Sequence, residues 1–224
     1  MHSHLLPGID DGSKSLSESI TLIAEFQKLG YKKLIVTPHI MSHRYQNTSE
    51  IILEKLAVLR EALEKHGINI IVEAASEYYL DEHFLSLLRK KDLLTFNHDH
   101  VLFEISYTQA PQDLEGIIFE MILAGYTPVL AHPERYLHMH DHFERYEALK
   151  EQGVLFQLNI NSLAGYYSKN IKQIAEKLVA KGMVDFLGSD VHKMRHFETF
   201  KTMLSSPVYH QIFEKNRILN NTLL

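Results

Sequence analysis

The sequence predicts an α/β protein built on a parallel sheet. Short apolar runs rich in β-branched residues recur along the 224 residues, and a segment with helical spacing of apolar residues follows each run. Strict alternation of this kind is typical of a parallel sheet covered by helices. Seven such units, joined by right-handed crossovers, predict a closed or nearly closed β/α barrel.

The chemistry of the strand ends is the second observation. Nearly every predicted strand ends in a histidine or a carboxylate, and both are metal-ligand types. The carboxyl ends of successive parallel strands converge on one face of a sheet or barrel, so these groups are expected to meet in one pocket. The ends are His2-Ser3-His4, Thr37-Pro38-His39, Glu77, Glu104, His132-Pro133-Glu134-Arg135 and Ser189-Asp190-Val191-His192.

The first half of the chain begins with a curtailed strand. His2 and His4 would lie at its end, so most of the strand is missing, as expected of a truncated chain or of one that starts inside a longer protein. After a turn-rich loop, the predicted elements are a helix opened by a capping box at Ser15 and Glu18 and running to about Leu29, a strand at 34–37, a helix from Ser49 to His66, a strand from Ile68 to Val72 that continues to Glu77, and a helix from Asp81 to about Lys91.

The second half repeats the alternation. The predicted elements are a strand at 101–105, a helix from about Gln112 that ends before Gly125, a strand at 127–131, a helix at 143–152, a strand at 154–158, a helix at 170–181, a strand at 184–187 and two final helical segments. No linker or low-complexity tract interrupts them. We therefore expect residues 1–224 to form a single domain.

Composition excludes several classes of function. The net charge of −5 gives no general attraction to nucleic acid or anionic membrane, no window approaches the length of a membrane span, and no secretory signal is recognisable. A cytoplasmic protein is the expectation. The absence of cysteine excludes disulfides, thiolate metal sites and a cysteine nucleophile, whereas 15 histidines supply the commonest metal ligand.

The spacing of the strand-end histidines favours metal binding. His2 and His4 are two positions apart, as are Asp190 and His192, and such residues of a strand point to the same face. The alternatives are exposed polar residues at the chain start, and a helix cap followed by a surface histidine at the last strand.

The remaining histidines and the first aspartates are less certain ligands from spacing alone. His39 and His132 each adjoin a proline that fixes the local backbone, although either could instead be a hydrogen-bonded core histidine. Asp10 and Asp11 would face opposite ways on an extended backbone. We expect Asp11 to be the ligand.

Two glutamates complete the set. Glu104 ends an apolar strand, and a buried carboxylate requires a cation or hydrogen-bond donors. A metal ion is the simplest partner, with a salt bridge to Arg135 as the alternative. Glu77 could bridge two ions, and Glu73 replaces it if the register of this strand differs.

Nine ligands suit three divalent ions with three or four protein ligands each. Histidine and carboxylate donors leave Mn, Fe and Zn open. Ions about 4 Å apart lower the pKa of a bound water and neutralise phosphate oxygens, which predicts phosphoester hydrolysis. Arg135 would add a bidentate phosphate contact, unless it is a surface arginine. The predicted ligands are His2, His4, Asp11, His39, Glu77, Glu104, His132, Asp190 and His192.

Four motifs together resemble one family over essentially the whole chain, the PHP-domain protein-tyrosine phosphatases of bacterial capsule and exopolysaccharide systems. The resemblance implies a distorted (β/α)7 TIM-like barrel, the PHP fold, with a trinuclear and usually Mn-dependent site. It also implies dephosphorylation of the tyrosine-rich tail of a bacterial tyrosine kinase that controls polysaccharide export. The motifs are 2–12 (HSHLLPGIDDG), 37–39 (TPH), 131–136 (AHPERY) and 188–192 (GSDVH).

The resemblance also implies individual roles. Arg135 would bind phosphate, and Arg195 is the nearest match to a family arginine that follows the last histidine ligand, at shorter spacing. Some relatives form ring octamers through a Glu-Glu-x4-Arg pattern on the first helix; here Ser17-Glu18 and Ile23 take those places, so the ring is not supported. The implied metal sets are His2, His4, Glu77 and Asp190; Glu77, Glu104 and His132; and Asp11, His39 and His192.

Other functions remain open at this point. A small-molecule phosphatase, such as a PHP-type histidinol phosphatase, would use the same centre. A non-catalytic, metal-stabilised module that docks on the kinase would bind metal without turnover. A PHP-type nuclease is disfavoured because the chain lacks basic clusters to follow a phosphate backbone.

Overall fold

Short parallel strands alternate with helices along the whole chain. The computed structural model describes residues 1–223, and the boundaries lie within a few residues of the predicted ones. The strands are β1 (Lys33–Val36), β2 (His39–Ile40), β3 (Ile71–Ala74), β4 (Glu77–Tyr79), β5 (His100–Glu104), β6 (Thr127–Ala131), β7 (Leu155–Asn159) and β8 (Phe186–Gly188).

The helices cover the strands and fill the connections. The predicted helices are all present, and a single short turn follows β7 directly. The helices are α1 (Leu16–Lys28), α2 (Ser49–Lys65), α3 (Glu82–Lys90), α4 (Leu114–Leu123), α5 (Glu144–Glu151), α6 (Ile160–Leu163), α7 (Lys169–Ala180), α8 (Met194–Leu204) and α9 (Pro207–Lys215), with 3-10 turns at Pro133–Arg135, Leu137–Met139 and Asn220–Leu223.

Side chains cap the helices at their N-termini. Ser15, Thr48, Asp81 and Ser168 each accept a hydrogen bond from the backbone N–H three residues later. Such a bond satisfies one of the N–H groups that the first helical turn leaves without a partner, and it contributes about 1 kcal/mol. These residues fix where the helices begin, and therefore where the loops between strands and helices end.

Every strand pairing is parallel, as alternation with helices predicts. β1 pairs with β3, and the other strands form a sheet in the order β2-β4-β5-β6-β7-β8. The strand predicted from Ile68 to Glu77 is split into β3 and β4. The strand predicted at 34–37 is β1, and a further short strand, β2, follows it after a break at Pro38, because proline lacks the N–H that a ladder needs. Among residues 1–223 the pairings thus define two parallel sheets and do not define a closed barrel.

The chain start lies between the first and last strands. Ser3 forms a parallel bridge with Val191, and its carbonyl accepts a 2.8 Å hydrogen bond from the N–H of Thr37. The N–H of His4 donates to the carbonyl of Val191 at 3.0 Å. The predicted first strand is thus a single bridged residue that holds both neighbouring histidines against the sheet.

Both faces of the sheet are covered. Leu102 packs with Val129 and Phe186 in a small apolar cluster, whereas its neighbours Val101 and Phe103 belong to the large cluster that includes the helices. This alternation follows from the period of two along a strand. None of the helices within 1–223 has the length and apolar character to cross a membrane.

Candidate metal centre

The strand register turns two carboxylates inward. Glu77 and Glu104 lie two residues after Ala75 and Leu102, whose side chains belong to the small apolar cluster. Side chains two apart on an extended strand share a face. The alternation that buries the apolar side chains therefore points both carboxylates to the same interior side, at the carboxyl end of the sheet. Glu77 is 1% exposed and Glu104 is 3% exposed.

His2 and His4 both face the carboxylates of Glu77 and Asp190. Their Nε2 atoms each lie 3.3 Å from Oε2 of Glu77, and 3.4 and 3.5 Å from Oδ1 of Asp190. Both histidines are fully buried. The two imidazoles therefore meet as the His-x-His spacing predicts, although His2 has a φ of 62° and so lies outside the extended conformation that the prediction assumed.

A second cluster forms on the more open side. Nε2 of His39 lies 3.5 Å from Oδ1 of Asp11, and Nε2 of His192 lies 3.3 Å from the same oxygen. Asp10 instead lies behind His4, with Oδ2 at 2.7 Å from Nδ1 of that imidazole. The structure thus groups Asp11 with His4, His39 and His192, and it gives Asp10 the contacts of a residue that orients a ligand.

His132 completes the buried side. Its Nε2 lies 2.9 Å from Oε1 of Glu77 and 3.9 Å from Oε2 of Glu104, and Nδ1 of His39 lies 3.1 Å from Oε1 of Glu104. His132 and Asp190 have φ angles of 34° and 47°, in the left-handed region that non-glycine residues rarely adopt. Backbone strain of this kind is concentrated at functional sites.

The charges of these groups depend on one another. Burial alone would raise the pKa of Glu77, but His2 and His39 outweigh it and hold that pKa well below its usual range. Burial alone would lower the pKa of His4, but Asp10 together with Asp190 and Glu77 outweighs it, and the pKa lies well above the ordinary value. The pKa of Asp190 is likewise held well below its usual range by His2, against the effect of burial.

The donor set fits divalent cations. Four atoms of these side chains are buried and, although some lie at ion-pair distance from one another, none makes a hydrogen bond of good geometry among residues 1–223: Oε2 of Glu77, Oε1 of Glu104 and Nδ1 of His39 and His132. Buried polar atoms are nearly always satisfied, so these atoms, which converge from several strands, fit a site that binds a cation. Imidazole and carboxylate donors without thiolate suit Mn, Fe and Zn.

Arg135 lies at the edge of this cluster between two aromatic rings. Its Cζ atom is 4.6 Å from the ring centre of Tyr107 and 4.4 Å from that of Tyr167. Its Nη1 donates to Oδ2 of Asp190 at 3.1 Å, and Nδ2 of Asn159 donates to the same oxygen at 2.6 Å. Asp190 therefore turns one oxygen to the histidines and the other to Arg135.

Arg195 lies apart from the cluster. It is exposed on the first turn of α8, and its Cζ atom is 5.8 Å from the ring centre of Tyr166. Tyr166 in turn packs edge-on against His196, which lines the pocket. The direction of α8 thus turns Arg195 away from the carboxylates. Tyr166 and His196 lie between it and the pocket, where the resemblance implies an arginine.

Sequence reasoning missed several residues that support the cluster. Oε1 of Gln157 contacts Nδ1 of His2, and Asn159 bonds Asp190. Both lie two apart on β7, a polar alternation on an apolar strand that could have indicated them. Tyr107 and Tyr167 are on loops, and no spacing rule indicates their positions.

Six of the nine predicted ligands line an open pocket of about 320 Å³, and the other three, His2, His4 and Glu104, are buried beside them. All nine come together at the carboxyl ends of the strands. They form overlapping groups of three or four residues, and within each group the candidate ligand atoms lie within 4.8 Å of one another. Fold and site together define an α/β protein with a candidate polynuclear metal centre at the carboxyl face of a parallel sheet.

Comparisons with known proteins identify the family to which the chain belongs. The sequence model of the family described as capsular polysaccharide synthesis, CpsB/CapC, matches residues 1–203, and the chain belongs to this family. It is 31% identical over 202 residues to tyrosine-protein phosphatase YwqE of Bacillus subtilis, covering 89% of this chain and 80% of that protein.

Other relatives agree. The chain is 28% identical over 197 residues to putative tyrosine-protein phosphatase CapC of Staphylococcus aureus, covering 87% of this chain and 76% of that one. A solved structure from work on YwqE of Bacillus subtilis and CpsB of Streptococcus pneumoniae, described as unique metal-dependent tyrosine phosphatases, superposes with a TM-score of 0.84 at 28% identity. It covers 95% of this chain and 90% of the other.

Proposed function

We propose that this protein is a metal-dependent protein-tyrosine phosphatase. The observation that carries the proposal is the convergence of nine histidine and carboxylate side chains beside Arg135, whose guanidinium donates to Asp190. The named relatives in the family are tyrosine-protein phosphatases. The chain has no cysteine, so a phosphatase reaction here cannot use a cysteine nucleophile.

The proposed centre holds three divalent ions, with Mn first and Fe or Zn as alternatives. Glu77 would bridge two of them, because its oxygens face different histidines, His132 on one side and His2 with His4 on the other. Divalent ions bound here would supply a nucleophilic hydroxide at neutral pH and neutralise phosphate oxygens. The proposed sets are His2, His4, Glu77 and Asp190; Glu77, Glu104 and His132; and Asp11, His39 and His192.

Arg135 is the proposed phosphate contact. One nitrogen of its guanidinium is bound to Asp190, and the stacking rings of Tyr107 and Tyr167 restrain its plane. Among residues 1–223 the other N–H groups of the fork have no hydrogen-bond partner, so they can donate to phosphate oxygens, which is the interaction that arginine makes best. The phenolate that leaves has a pKa of about 10, so no dedicated general acid is required. Arg195 is not assigned a direct contact.

The proposed substrate is a phosphotyrosine protein, and the tyrosine-rich tail of a bacterial tyrosine kinase is the first candidate. The names of the relatives support both the tyrosine specificity and the capsule system. The open pocket, bordered by Tyr107 and Tyr167, can admit an aromatic side chain.

We also propose that residues 1–224 form one domain with the architecture of a distorted (β/α)7 barrel. The chain start bridges residues that follow the first and last strands, which supports this architecture: the carbonyl of Ser3 accepts from the N–H of Thr37, and the N–H of His4 donates to the carbonyl of Val191. The small apolar cluster around Leu102 supports it too, since it occupies the place of a barrel interior.

The test is phosphate release by protein stripped of metal with a chelator. We expect Mn-dependent release from a tyrosine-phosphorylated peptide, and much slower release from the matched phosphoserine peptide and from histidinol phosphate. Faster release from histidinol phosphate would replace the proposal by a small-molecule phosphatase. Metal binding with no release from any substrate would indicate a docking module.

A further inference from the structure

Three of the loops around the pocket together carry more cations than carboxylates. Segments 41–48, 160–168 and 189–196 follow β2, β7 and β8 at the carboxyl face. They contain Arg44, Lys193 and Arg195, and their single carboxylate is buried Asp190. The whole chain, by contrast, has 28 acidic and 23 basic residues. Asp11 also lines the pocket, but its carboxylate contacts His39 and His192, so these three loops present exposed cations without a matching exposed carboxylate of their own.

Arg44 and Lys193 stand close to the pocket. The guanidinium of Arg44 lies over the ring of Tyr45 at 5.0 Å, and that ring stacks on His39 at 5.4 Å between centres and an interplanar angle of 10°. Lys193 lines the pocket beside His192. Aromatic stacking restrains an exposed cation, so Arg44 is held where a molecule entering the pocket would pass it.

Arg195 continues this positive edge on the far side of His196. It contacts Tyr166, whose ring meets the imidazole of His196 at 5.1 Å between centres. We call Arg44, Lys193 and Arg195 the basic rim. Each member either lines the pocket or is separated from it by one or two aromatic side chains.

The basic rim has no internal counter-charge. Among residues 1–223, no carboxylate lies within 4.0 Å of its three cations, whereas Lys33 and Lys150 are paired with carboxylates. The nearby Asp81 is occupied, since it caps α3 and accepts from the N–H of Ser42. Three exposed cations beside one pocket are therefore available to an external anion.

We propose that the basic rim binds acidic residues that flank the phosphotyrosine of a peptide substrate. This inference rests on the proposed function and goes beyond it, because it names a sequence preference of the substrate. A peptide whose phosphotyrosine enters the pocket must pass along the mouth, where carboxylate side chains on either side can pair with the rim cations. Exposed pairs are individually weak, so the rim acts on selectivity between substrates and does not supply the chemistry.

The experiment compares two phosphotyrosine peptides that differ only in their flanks, glutamate at the neighbouring positions in one and alanine in the other. We expect a higher kcat/KM for the glutamate peptide, by roughly two- to five-fold for each cation engaged. The ratio of the two values should fall as ionic strength rises. In the double variant Arg44→Gln, Lys193→Gln the ratio should approach one.

Lys32→Gln is the matched control. Lys32 is exposed at the amino end of β1, on the opposite side of the sheet, and this variant should keep the wild-type ratio. A wild-type ratio of one, or a ratio unchanged in the double variant, would overturn the inference. If neither peptide is hydrolysed, the proposed function fails. In that case, fluorescence anisotropy with labelled forms of the same two peptides still tests the basic rim. Tighter binding of the glutamate peptide would support the inference, and equal Kd values would overturn it.

Discussion

At the scale of the residue, Asp190 shows how one side chain can serve two parts of a site. Its Oδ1 faces His2 and His4, while its Oδ2 accepts from Arg135 and Asn159. The carboxylate thus fixes the distance between the candidate metal centre and the guanidinium. Any movement of Arg135 is resisted by a buried partner that the histidines also hold.

We predict that Arg135→Gln lowers kcat with tyrosine-phosphorylated peptide by on the order of 10²–10³-fold, the cost of removing one donor to a developing charge. Bound metal should remain near the wild-type level, because Asp190 retains its histidine partners. The measurement pairs steady-state kinetics with metal analysis. Arg145→Gln, an exposed arginine on α5, is the control and should leave kcat unchanged. A wild-type rate for Arg135→Gln would remove Arg135 from the site.

At the scale of the element, the loop that follows His4 matters as much as the strands. The N–H of Gly12 donates to Oδ1 of Asp10 at 2.8 Å, and Asp10 holds His4. A Cβ added to Gly12 would overlap the carbonyl oxygen of His4 and lie 2.5 Å from its Cβ. Only glycine permits this close return of the loop onto the histidine.

We predict that Gly12→Ala displaces His4 and reduces both bound metal and phosphatase rate, with a loss of about 1–3 kcal/mol in the free energy of unfolding from overpacking. Gly153→Ala is the control. Its φ of 89° makes alanine costly by about 1–2 kcal/mol, but an added Cβ meets no atom within 4 Å. It should lower stability and leave metal content unchanged. Equal metal loss in both variants would contradict the role of the loop.

The elements were predictable because both periodicities are strong in this chain. Helix starts at Ser15 and Asp81 agree with their caps, and the strands agree to within about three residues. The strand predicted at 34–37 ends before Pro38, as β1 does, but the short strand β2 beyond the proline was not predicted. The direction of Arg195 could not be predicted, because the angle at which α8 leaves the sheet depends on packing and not on spacing.

At the scale of the whole molecule, the site was more predictable than the closure of the sheet. Parallel strands converge at their carboxyl ends whatever their curvature, so candidate ligands such as His39, Glu77 and His132 could be named before their distances were known. Contacts between loops depend on the full fold, which is why Tyr107 and Tyr167 were not foreseen. Whether the two sheets form one barrel depends on small shifts in pairing that periodicity does not encode.

The charge balance of the buried cluster predicts how pH affects metal-stripped protein. The lowered pKa values of Glu77 and Asp190 stabilise the fold above their ordinary value of about 4, and this stabilisation is lost as pH falls. The raised pKa values of His2 and His4 stabilise it below about 6.5, and this stabilisation is lost as pH rises through the raised values.

We therefore predict that the Tm of metal-stripped protein is higher at about pH 6 than at about pH 8.5. Protein loaded with Mn should show the opposite or no trend, since metal binding requires neutral imidazoles and grows stronger as pH rises. Differential scanning calorimetry at the two pH values measures both forms. A metal-stripped Tm that rises between these values would contradict the assigned charges.

The most direct test of the metal centre uses two glutamates of one predicted strand. Glu77 faces His2, His4 and His132, whereas Glu73 is half exposed on β3 and pairs with Lys33. Glu77→Gln keeps the shape of the side chain and removes its charge, and Glu73→Gln makes the same change four residues earlier. Because even outer partners of metal ligands cost about 10–100-fold when lost, removing a bridging ligand should cost at least about 100-fold.

The measurement is metal content per chain together with the rate of phosphate release from a tyrosine-phosphorylated peptide. The account predicts that Glu77→Gln loses bound metal and activity while remaining folded, and that Glu73→Gln matches the wild type in both. Full metal content and rate in Glu77→Gln would contradict the central claim that the carboxyl ends of these strands form the metal centre of a phosphatase.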